Sequence, residues 1–421
     1  MKRYGLLGEK LSHSFSKPIH EALGGYPYEL IPLSREGLDQ FLRKKDFAGV
    51  NVTIPYKQTV IPYLDELDPA ARAIGAVNTI VNREGRLYGS NTDFAGMRQT
   101  LLANRIPVQG KKVLILGSGG TSRTAHAVLE ELGAAEIRQV SREPAAGQLS
   151  YEQARRAEDT QLIVNTTPVG MFPQTGGLPL ELEGFPRLEG VLDVIYNPLR
   201  TRLLQQAEKR GIPCAGGLLM LTAQAKFAAE QFLGRTIPES QLEAVYHRLL
   251  QEKTNLVLIG MPASGKTALG SRAAAALGRE WVDLDEEIVR FSGKSIPEIF
   301  AQEGEAGFRA RERRATEEIS LRNGIVISTG GGCILDPQNV ENLRKNGWLC
   351  YNDRPVSLLS AGDGRPLARS REDLAALYQA RAPLYQEAAD FRLCNDGGED
   401  AALTKLLEAF REQEKSCSQR T

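Results

Sequence analysis

The sequence has few cysteines and no charge imbalance, and each absence excludes a class of protein. Only five cysteines occur among 421 residues, and they form neither a CxxC pair nor a cluster with histidine at metal-ligand spacing. Scattered thiols are typical of the reducing cytosol, so neither a disulfide framework nor a zinc site is expected. Lysine plus arginine and aspartate plus glutamate number 52 each, so no overall field attracts nucleic acid or an anionic membrane.

Long apolar runs are also lacking, and we expect no leader segment. No apolar stretch approaches the length that spans a bilayer, and the chain opens on the strand-like run of residues 3–8. We therefore expect a cytoplasmic protein without membrane or nucleic-acid partners. The length predicts two or three domains. Apolar runs alternate with helix-length segments, which predicts an α/β fold with helices covering parallel sheets.

What the sequence does contain is two glycine-rich loops, each between an apolar strand pattern and an alanine-rich helical pattern. The first, at residues 117–120, follows the run 113–116, and the second, at residues 260–267, follows the run 256–259. In that context a loop directs backbone N–H groups and a helix N-terminus towards a phosphate. The first loop type suits the pyrophosphate of a dinucleotide and the second suits a nucleoside triphosphate. Because few single activities need both, two enzymes are predicted in one chain.

The first loop departs from GxGxxG because Ser122 stands at the position of the third glycine. The next strand pattern ends in Ser141 and Arg142, where NAD enzymes usually carry an acidic residue that binds the ribose. A hydroxyl and a guanidinium suit the 2′-phosphate of NADP instead. A structural glycine turn and an ordinary exposed arginine are the alternatives. The candidate cofactor residues are Gly117, Ser118, Gly119, Gly120, Ser141 and Arg142.

The second loop satisfies GxxxxGK(S/T) throughout. Lys266 is expected to reach the β- and γ-phosphates of ATP, and Thr267 to bind Mg²⁺. The next strand pattern ends at Asp283 and Asp285, and strand alternation predicts both carboxylates on one face, one for the metal and one for a substrate hydroxyl. Acidic residues at a helix start are the alternative. The candidate nucleotide-binding residues are Gly260, Ala263, Ser264, Gly265 and Thr267.

Further motifs occur in order along residues 1–252. They are His13-Ser14-Phe15-Ser16, Asn51-Val52-Thr53-Ile54-Pro55-Tyr56-Lys57, Gly75-Ala76-Val77-Asn78-Thr79, Gly89-Ser90-Asn91-Thr92-Asp93, Asn165-Thr166-Thr167-Pro168-Val169-Gly170-Met171 and the run 216–224. Together with the first glycine loop, they make this part of the chain resemble the shikimate dehydrogenases. One departure is Lys17, which separates Ser16 from Pro18.

The resemblance implies reduction of 3-dehydroshikimate with NADPH. It implies a catalytic pair of Lys57 and Asp93, substrate contacts from Ser14, Ser16, Thr53, Asn78 and Gln224, a position for Tyr196 near the substrate carboxylate, and a cofactor contact from Gly217. These residue types suit the reaction, because an ammonium supplies a proton and stabilises a developing alkoxide. Without the resemblance, Lys57 would be read as a solvated lysine and Asp93 as a turn residue.

Motifs of a second kind follow the second loop. They are Gly304-Glu305-Ala306-Gly307-Phe308-Arg309-Ala310-Arg311-Glu312, Ser328-Thr329-Gly330-Gly331-Gly332, Arg365-Pro366-Leu367 and Arg381-Ala382-Pro383-Leu384-Tyr385. With the loop, they make residues 255 to about 395 resemble the shikimate kinases. The lid segment 360–364 is short and lacks the basic residue usually found upstream of it.

This second resemblance implies phosphorylation of shikimate by ATP. It implies that shikimate is bound by Asp285, Arg309, Gly330, Gly331, Gly332 and Arg381, that Asp283 supports Mg²⁺, and that Arg365 is a lid arginine meeting the phosphates. Catalytic roles fall to Lys266, Asp285 and Arg365. The i,i+3 spacing of Arg309 and Glu312 lets the glutamate orient the guanidinium that grips a carboxylate.

Four parts are predicted: a substrate-binding and catalytic domain at 1–101, completed by helices of 218–252; a Rossmann NADP domain at 102–217; a P-loop kinase domain, similar to nucleoside monophosphate kinases, at 253–412; and a polar tail at 413–421. The expected function is bifunctional, with 3-dehydroshikimate and shikimate as substrates and NADPH, ATP and Mg²⁺ as cofactors. Three alternatives stay open: a preference for quinate, a non-catalytic kinase-like sensor of ATP or shikimate, and a scaffold for neighbouring enzymes. Self-association also stays open.

Overall fold

The computed structural model describes residues 3–9, 11, 15–359 and 370–419 of the chain. These residues form two compact units. Unit 1 holds the described residues up to Asn197 together with 206–248, and unit 2 holds 198–205 together with the described residues from Leu249 onward. Within the described part of the chain, no helix is long and apolar enough to cross a membrane. The four expected domain boundaries remain a proposal.

The first sheet of unit 1 is mixed. Its strands are β1 (Tyr4–Gly8), β2 (Glu29–Pro32), β3 (Gly49–Val52), β4 (Glu66–Leu67), β5 (Thr79–Arg83) and β6 (Arg86–Ser90), in the order β2-β1-β3-β5-β6-β4. Strand β5 runs antiparallel to both β3 and β6, so the expectation of parallel sheets alone was wrong here. Glu84 and Gly85, with φ of 54° and 85°, form a two-residue turn that returns the chain directly from β5 to β6.

The second sheet of unit 1 is fully parallel. Its strands are β7 (Lys112–Leu116), β8 (Glu136–Val140), β9 (Leu162–Asn165), β10 (Gly190–Asp193) and β11 (Cys214–Ala215), in the order β11-β10-β9-β7-β8. Strands β9 and β10 are buried throughout, as strands covered by helices on both faces must be. Ligands of such sheets bind at the carboxyl ends of the strands.

Helices surround both sheets. Up to residue 253 they are α1 (Ser16–Gly24), α2 (Arg35–Lys44), α3 (Pro69–Ile74), α4 (Thr92–Ala103), α5 (Gly120–Glu131), α6 (Tyr151–Arg155), α7 (Arg202–Lys209), α8 (Gly217–Leu233) and α9 (Glu239–Lys253). Helix α8 packs against α4 and α1, beside the first sheet. The helices expected within 218–252 correspond to α8 and α9.

Unit 2 contains one parallel sheet. Its strands are β12 (Asn255–Ile259), β13 (Trp281–Asp283), β14 (Val326–Ser328), β15 (Gly347–Asp353) and β16 (Phe391–Cys394), in the order β13-β14-β12-β15-β16. Alternate side chains of β12 enter two cores, with Val257 and Ile259 in one and Leu256 and Leu258 in the other, because successive strand residues point to opposite faces. Its helices are α10 (Lys266–Leu277), α11 (Leu284–Ser292), α12 (Ile296–Ser320), α13 (Pro337–Arg344), α14 (Arg371–Ala388) and α15 (Glu399–Gln419).

Arg200, in the segment 198–205, is enclosed within unit 2. Its guanidinium donates to the carbonyl oxygens of Arg344 at 2.8 Å and Gly347 at 2.6 Å. It pairs with the Asp390 carboxylate at 3.2 Å and stacks over the Trp348 ring at 4.4 Å. Both charged side chains are only 12% exposed, so protein groups satisfy most of their polar atoms. The segment is therefore an integral part of unit 2, although it lies far from the rest of that unit in the sequence.

Candidate active sites

Lys57 and Asp93 meet in unit 1. Lys57 follows β3 and Asp93 lies in the first turn of α4, and Lys57 Nζ is 2.5 Å from Asp93 Oδ2. The backbone of Lys57 is fixed as well, since its carbonyl oxygen accepts from the Val77 N–H at 2.8 Å. The structure thus brings together an ammonium and a carboxylate that both remain partly open to solvent.

Asn78 lies close to this pair, and hydrogen bonds to its side-chain oxygen fix its orientation. It is buried, and its Oδ1 accepts from the Thr92 N–H at 2.7 Å and from Thr79 Oγ1 at 3.0 Å. The Thr92 hydroxyl is 3.5 Å from Gln224 Oε1 on α8. With the amide oxygen occupied, the Asn78 amide nitrogen is the group left for a ligand. Thr53, at the end of β3, donates its backbone N–H to the Leu7 carbonyl at 2.9 Å.

The N-terminal substrate motif is described only in part. Ser14, like His13, lies outside the described residues, whereas Ser16 is the first residue of α1. The Phe15 ring makes an edge-on contact with the Tyr196 ring, with centroids 5.8 Å apart. Tyr196 follows β10, so this contact joins the motif to the second sheet of unit 1.

His20, on α1, is a structural histidine. It is fully buried, its Nδ1 is 2.8 Å from Tyr26 Oη, and its ring stacks on Tyr28 at 4.2 Å. Burial lowers the pKa of His20 to about 3. The imidazole is therefore neutral at physiological pH and supports the fold, while Lys57 is the candidate proton donor.

The dinucleotide loop lies between β7 and α5. Gly117 has φ of 112°, and Gly119 precedes the first turn of α5 without a side-chain cap. The helix thereby presents uncapped backbone N–H groups, which suit an anion. Ser118 Oγ lies 3.4 Å from Ser141 Oγ at the end of β8. The neighbouring Arg142 is exposed and makes no hydrogen bond or ion pair with any described residue.

Gly217 begins α8 against the end of β10. A Cβ at this position would overlap the carbonyl group of Val194, so only glycine allows the helix to approach so closely. This explains the residue by packing. A contact with the cofactor remains a proposal.

In unit 2, the side chain of Lys266 is hydrogen-bonded to the backbone of the phosphate loop. Lys266 Nζ donates to the carbonyl oxygens of Gly260 at 2.9 Å and Met261 at 2.8 Å. Ala263 has φ of 65° and Gly265 has φ of 86°, left-handed conformations that let the loop turn sharply. Ser264 is buried, and its carbonyl oxygen accepts from Asn352 Nδ2 at 2.8 Å.

Thr267 and Asp283 form a pair of hard oxygen groups. Thr267 Oγ1 donates to Asp283 Oδ2 at 2.9 Å. Asp283 ends β13 and caps α11, because its Oδ1 accepts from the Asp285 N–H at 3.0 Å. The expectation that Asp283 and Asp285 alternate on one strand face was therefore wrong: Asp285 lies in the first turn of a helix. A hydroxyl beside a carboxylate fits Mg²⁺, which prefers oxygen ligands and keeps positions for phosphate and water.

Asp285 is the more enclosed of the two carboxylates. Its Oδ1 is buried without a hydrogen-bond partner among the described residues. Burial, and secondly the charge of Asp283, raise the pKa of Asp285, while Lys266 and Arg309 oppose the shift. A carboxylate with an unsatisfied oxygen and a raised pKa is suited to accept a proton from a substrate hydroxyl.

Three glycines after β14 pack against three functional elements. A Cβ at Gly330 would lie 2.8 Å from Asp285 Oδ1, one at Gly331 would lie 2.7 Å from Pro262 of the phosphate loop, and one at Gly332 would overlap the Arg309 guanidinium. The glycines therefore allow the carboxylate, the phosphate loop and the arginine to surround one short segment.

The arginines near this glycine segment are held in place. Arg309 Nη1 donates to Glu312 Oε2 at 2.8 Å, and Glu312 is almost fully buried. Burial raises the pKa of Glu312, and Arg309 opposes this. Arg381 Nη1 and Tyr385 Oη donate to the Gly331 carbonyl oxygen at 3.0 and 2.5 Å. Arg365 lies outside the described residues.

Comparison with known proteins gives matches in both parts of the chain. A family model for the shikimate dehydrogenase substrate binding domain matches residues 6–80, and one for shikimate kinase matches residues 262–411. The shikimate dehydrogenase (NADP(+)) of Clostridium perfringens strain SM101 is 34% identical over 268 residues, which cover 59% of this chain and 98% of that protein. The chain belongs to the shikimate dehydrogenase family.

Solved structures of the family show the same fold. The crystal structure of shikimate dehydrogenase 1 from Peptoclostridium difficile has a TM-score of 0.54 at 35% identity, covering 59% of this chain and 98% of that one. The shikimate 5-dehydrogenase of Thermus thermophilus, in complex with NADP(H) and shikimate, has a TM-score of 0.53 at 33% identity, covering 59% and 99%. The predicted α/β fold and the predicted fusion of a shikimate dehydrogenase with a shikimate kinase domain are confirmed.

Sequence reasoning missed several residues that shape the two sites. Thr92 and Tyr385 lie inside recognised motifs, but no role was predicted for either. Thr79 and Asn51 are buried and hydrogen-bonded to each other at 3.0 Å behind Asn78. Their signal was a polar residue within an apolar strand pattern, which is rarely left without a partner.

Proposed function

We propose that the chain catalyses two consecutive reactions: unit 1 reduces 3-dehydroshikimate to shikimate with NADPH, and unit 2 transfers a phosphoryl group from MgATP to the 3-hydroxyl of shikimate. The observation that carries the proposal is that each unit brings its own reactive side chains together. Lys57 and Asp93 meet at 2.5 Å in unit 1, and Thr267 and Asp283 meet at 2.9 Å beside Asp285 in unit 2. The product of the first reaction is the substrate of the second.

In the reduction, Lys57 donates a proton to the carbonyl oxygen as it becomes an alkoxide, and its charge stabilises that oxygen. When bound, NADPH supplies the hydride to the carbonyl carbon. Asp93 holds the ammonium and accepts a hydrogen bond from a ring hydroxyl. Asn78 offers its amide nitrogen to the same ring. Thr53, Gln224, Ser14 and Ser16 complete the polar contacts, with Tyr196 near the substrate carboxylate.

NADPH is proposed to lie across the carboxyl ends of β7 and β8. Gly117, Ser118, Gly119 and Gly120 face the pyrophosphate with the N-terminus of α5 behind them. Ser141 and Arg142 are proposed to face the 2′-phosphate, because a hydroxyl and an exposed guanidinium suit that anion. The NADP(H) found in the complex of the Thermus thermophilus relative supports this choice.

In the phosphorylation, Asp285 orients the 3-hydroxyl and accepts its proton as the oxygen bonds to the γ-phosphorus of ATP, while the bond from that phosphorus to the bridging oxygen breaks and ADP leaves. Lys266 exchanges its two carbonyl partners for phosphate oxygens of ATP. Thr267 and Asp283 are the residues that hold Mg²⁺, which supplies charge neutralisation between the phosphates when bound. Gly260, Ala263, Ser264 and Gly265 form the loop around the phosphates. Arg309, Arg381 and residues 330–332 bind shikimate, and Arg365 meets the phosphates from the lid.

A coupled assay tests both halves at once. Incubation of the full chain with 3-dehydroshikimate, NADPH, ATP and Mg²⁺ should consume NADPH and form shikimate 3-phosphate, detected by mass spectrometry. Omission of ATP should stop the reaction at shikimate. Reduction without any phosphate ester, even with added shikimate, would indicate that unit 2 is a sensor. Faster oxidation of quinate than of shikimate would indicate a quinate enzyme.

A further inference from the structure

Gln139 is a polar side chain on β8, at the edge of the second sheet of unit 1. Its Nε2 donates to the Gly117 carbonyl oxygen at 3.0 Å and to Ser122 Oγ at 2.9 Å. Its Oε1 accepts from Gln148 Nε2 at 2.9 Å. Both donor hydrogens and the acceptor of this one amide are therefore in use, and they reach two different loops.

The first of these loops is the glycine loop. Ser122 occupies the third glycine position, is almost fully buried, and donates to the Gly119 carbonyl oxygen at 2.7 Å. Gln139 satisfies the remaining side of that buried hydroxyl. Gln139 also holds the carbonyl group of Gly117. This residue has a φ of 112°, and a glycine can rotate more freely there than other residues. Rotation of this peptide group would turn the Gly117 carbonyl oxygen towards the proposed pyrophosphate, which would repel it. The hydrogen bond from Gln139 opposes that rotation.

The second loop is the segment 141–149, which leaves β8 at Ser141. Gln148 connects Gln139 to the backbone of this segment, since Gln148 Oε1 accepts from the Ala145 N–H at 3.0 Å. The segment also pairs back onto the strand, with Leu149 N–H donating to the Gln139 carbonyl at 2.8 Å. Arg142 lies at the start of this segment, so its backbone position depends on the same contacts.

We propose that Gln139 is a positioning residue that holds the pyrophosphate loop and the Arg142 segment in one fixed relationship, and thereby sets the preference for NADPH over NADH. This rests on the proposed use of NADPH by unit 1. A residue of similar size without polar atoms would fill the space but would leave the carbonyl of Gly117 and the hydroxyl of Ser122 without their shared donor. A glutamate would bring a carboxylate against the Gly117 carbonyl oxygen.

The test compares Gln139→Leu with Gln161→Leu. Gln161 is a part-buried glutamine that directly precedes the central strand β9, at the amino end of the same sheet, and it is bonded to the Lys112 N–H and to Glu189, so its replacement removes a similar network away from the carboxyl ends of the strands. Gln139→Leu should raise the KM for NADPH about five- to twentyfold, as expected for the loss of one or two hydrogen bonds. The kcat at saturating NADPH should change less than twofold, and the ratio of kcat/KM for NADPH to that for NADH should fall. Gln161→Leu should change none of these constants.

Three results would overturn the inference. They are an unchanged KM for NADPH, an equal rise in KM for both cofactors, and the same rise in Gln161→Leu. Should Gln139→Leu fail to fold, Gln148→Leu removes only the connection to the second loop and should still lower the NADPH-to-NADH ratio; an unchanged ratio there would also count against it. Loss of reduction in the unmodified chain would reject the proposed function instead, and ATP-dependent phosphorylation of added shikimate by unit 2 reports that each variant is folded.

Discussion

Lys57 Nζ lies 2.5 Å from Asp93 Oδ2, across 36 positions of sequence. Neither side chain is more than 27% exposed, so the pair is partly shielded while still open to a substrate. An ammonium held by one carboxylate keeps hydrogens directed elsewhere, which is what a proton donor to a ketone needs. This contact is the basis of the first prediction.

Replacement of Lys57 by alanine should lower the rate of 3-dehydroshikimate reduction about a hundred- to ten-thousandfold, since a positioned proton donor contributes roughly that much. Phosphorylation of added shikimate should be unchanged. Lys44→Ala, at an exposed lysine of α2, is the control and should reduce normally. NADPH oxidation measured spectrophotometrically decides the matter, and a near-normal rate for Lys57→Ala would transfer the catalytic role to Asp93.

Arg142→Asp should weaken NADPH binding by about 1–3 kcal/mol, because a charge-assisted contact with the 2′-phosphate is lost and a like charge is introduced. Binding of NADH should change little. Arg155→Asp, at an exposed arginine of α6, should leave both affinities as they are. Fluorescence titration of each variant with both cofactors measures this. Comparable use of NADPH and NADH by the unmodified chain would contradict the assignment.

Asp283 and Asp285 should respond differently to substitution. Asp285→Asn should remove most phosphorylation while MgATP still binds, because the phosphate loop and the Thr267–Asp283 pair remain. Asp283→Asn should raise the Mg²⁺ concentration needed for half-maximal rate. Titrations of both variants with Mg²⁺ and with shikimate separate the roles, and recovery of Asp285→Asn by extra Mg²⁺ would show that they are reversed.

The raised pKa of Asp285 predicts a pH dependence of the kinase reaction. Asp285 accepts a proton only when it is ionised, so the rate should fall as the pH drops through its pKa. Because this pKa is raised, the fall should occur at a higher pH than for an aspartate with the ordinary pKa of about 3.9. Asp283→Asn removes a like charge that raises this pKa and should move the acidic limb to lower pH. Asp396→Asn, at an exposed aspartate paired with Lys405, should not move it. If the acidic limb of the pH profile moved to higher pH in Asp283→Asn, Asp285 would not be the proton acceptor.

The raised pKa of Asp285 makes the rate increase with pH but makes the stability of the fold decrease with pH. Because the pKa of Asp285 is higher in the folded than in the unfolded chain, the folded state binds its proton more tightly. Stability contributed by this group therefore declines as pH rises from the ordinary value through the raised one.

Arg200→Ala should destabilise unit 2 by about 2–4 kcal/mol, because it leaves the largely enclosed Asp390 carboxylate without its counter-charge and removes the donors to two carbonyl oxygens. Arg314→Ala removes an exposed ion pair with Glu318 and should cost about 0.5 kcal/mol or less. Thermal inactivation of the kinase reaction in the full chain measures both. A fragment starting at Lys253 lacks Arg200 and should inactivate at a lower temperature than the full chain. Identical inactivation curves for Arg200→Ala and the unmodified chain would disprove the role.

Local sequence was sufficient wherever neighbouring residues decide the structure. The apolar runs before residues 117 and 260 form β7 and β12, and the alanine-rich segments after them form α5 and α10, because strand burial, glycine conformation and helix propensity act over a few residues. The same local physics explains one error. Asp283 accepts from the Asp285 N–H, and this cap starts α11 where strand alternation alone predicted a continued strand.

The identity of both enzymes and most of the candidate site residues came from the sequence by itself, through motifs of fixed order and spacing. Only the tertiary structure decided which of those residues meet. It brought Asn78 to Thr92, placed Gln139 between the first glycine loop and the segment 141–149, set three glycines against Asp285, Pro262 and Arg309, and gave the segment of Arg200 to unit 2. The physical reason is that such contacts join residues far apart in the chain. Strand order, helix packing and the space that a missing Cβ leaves determine them, and no short stretch of sequence contains that information.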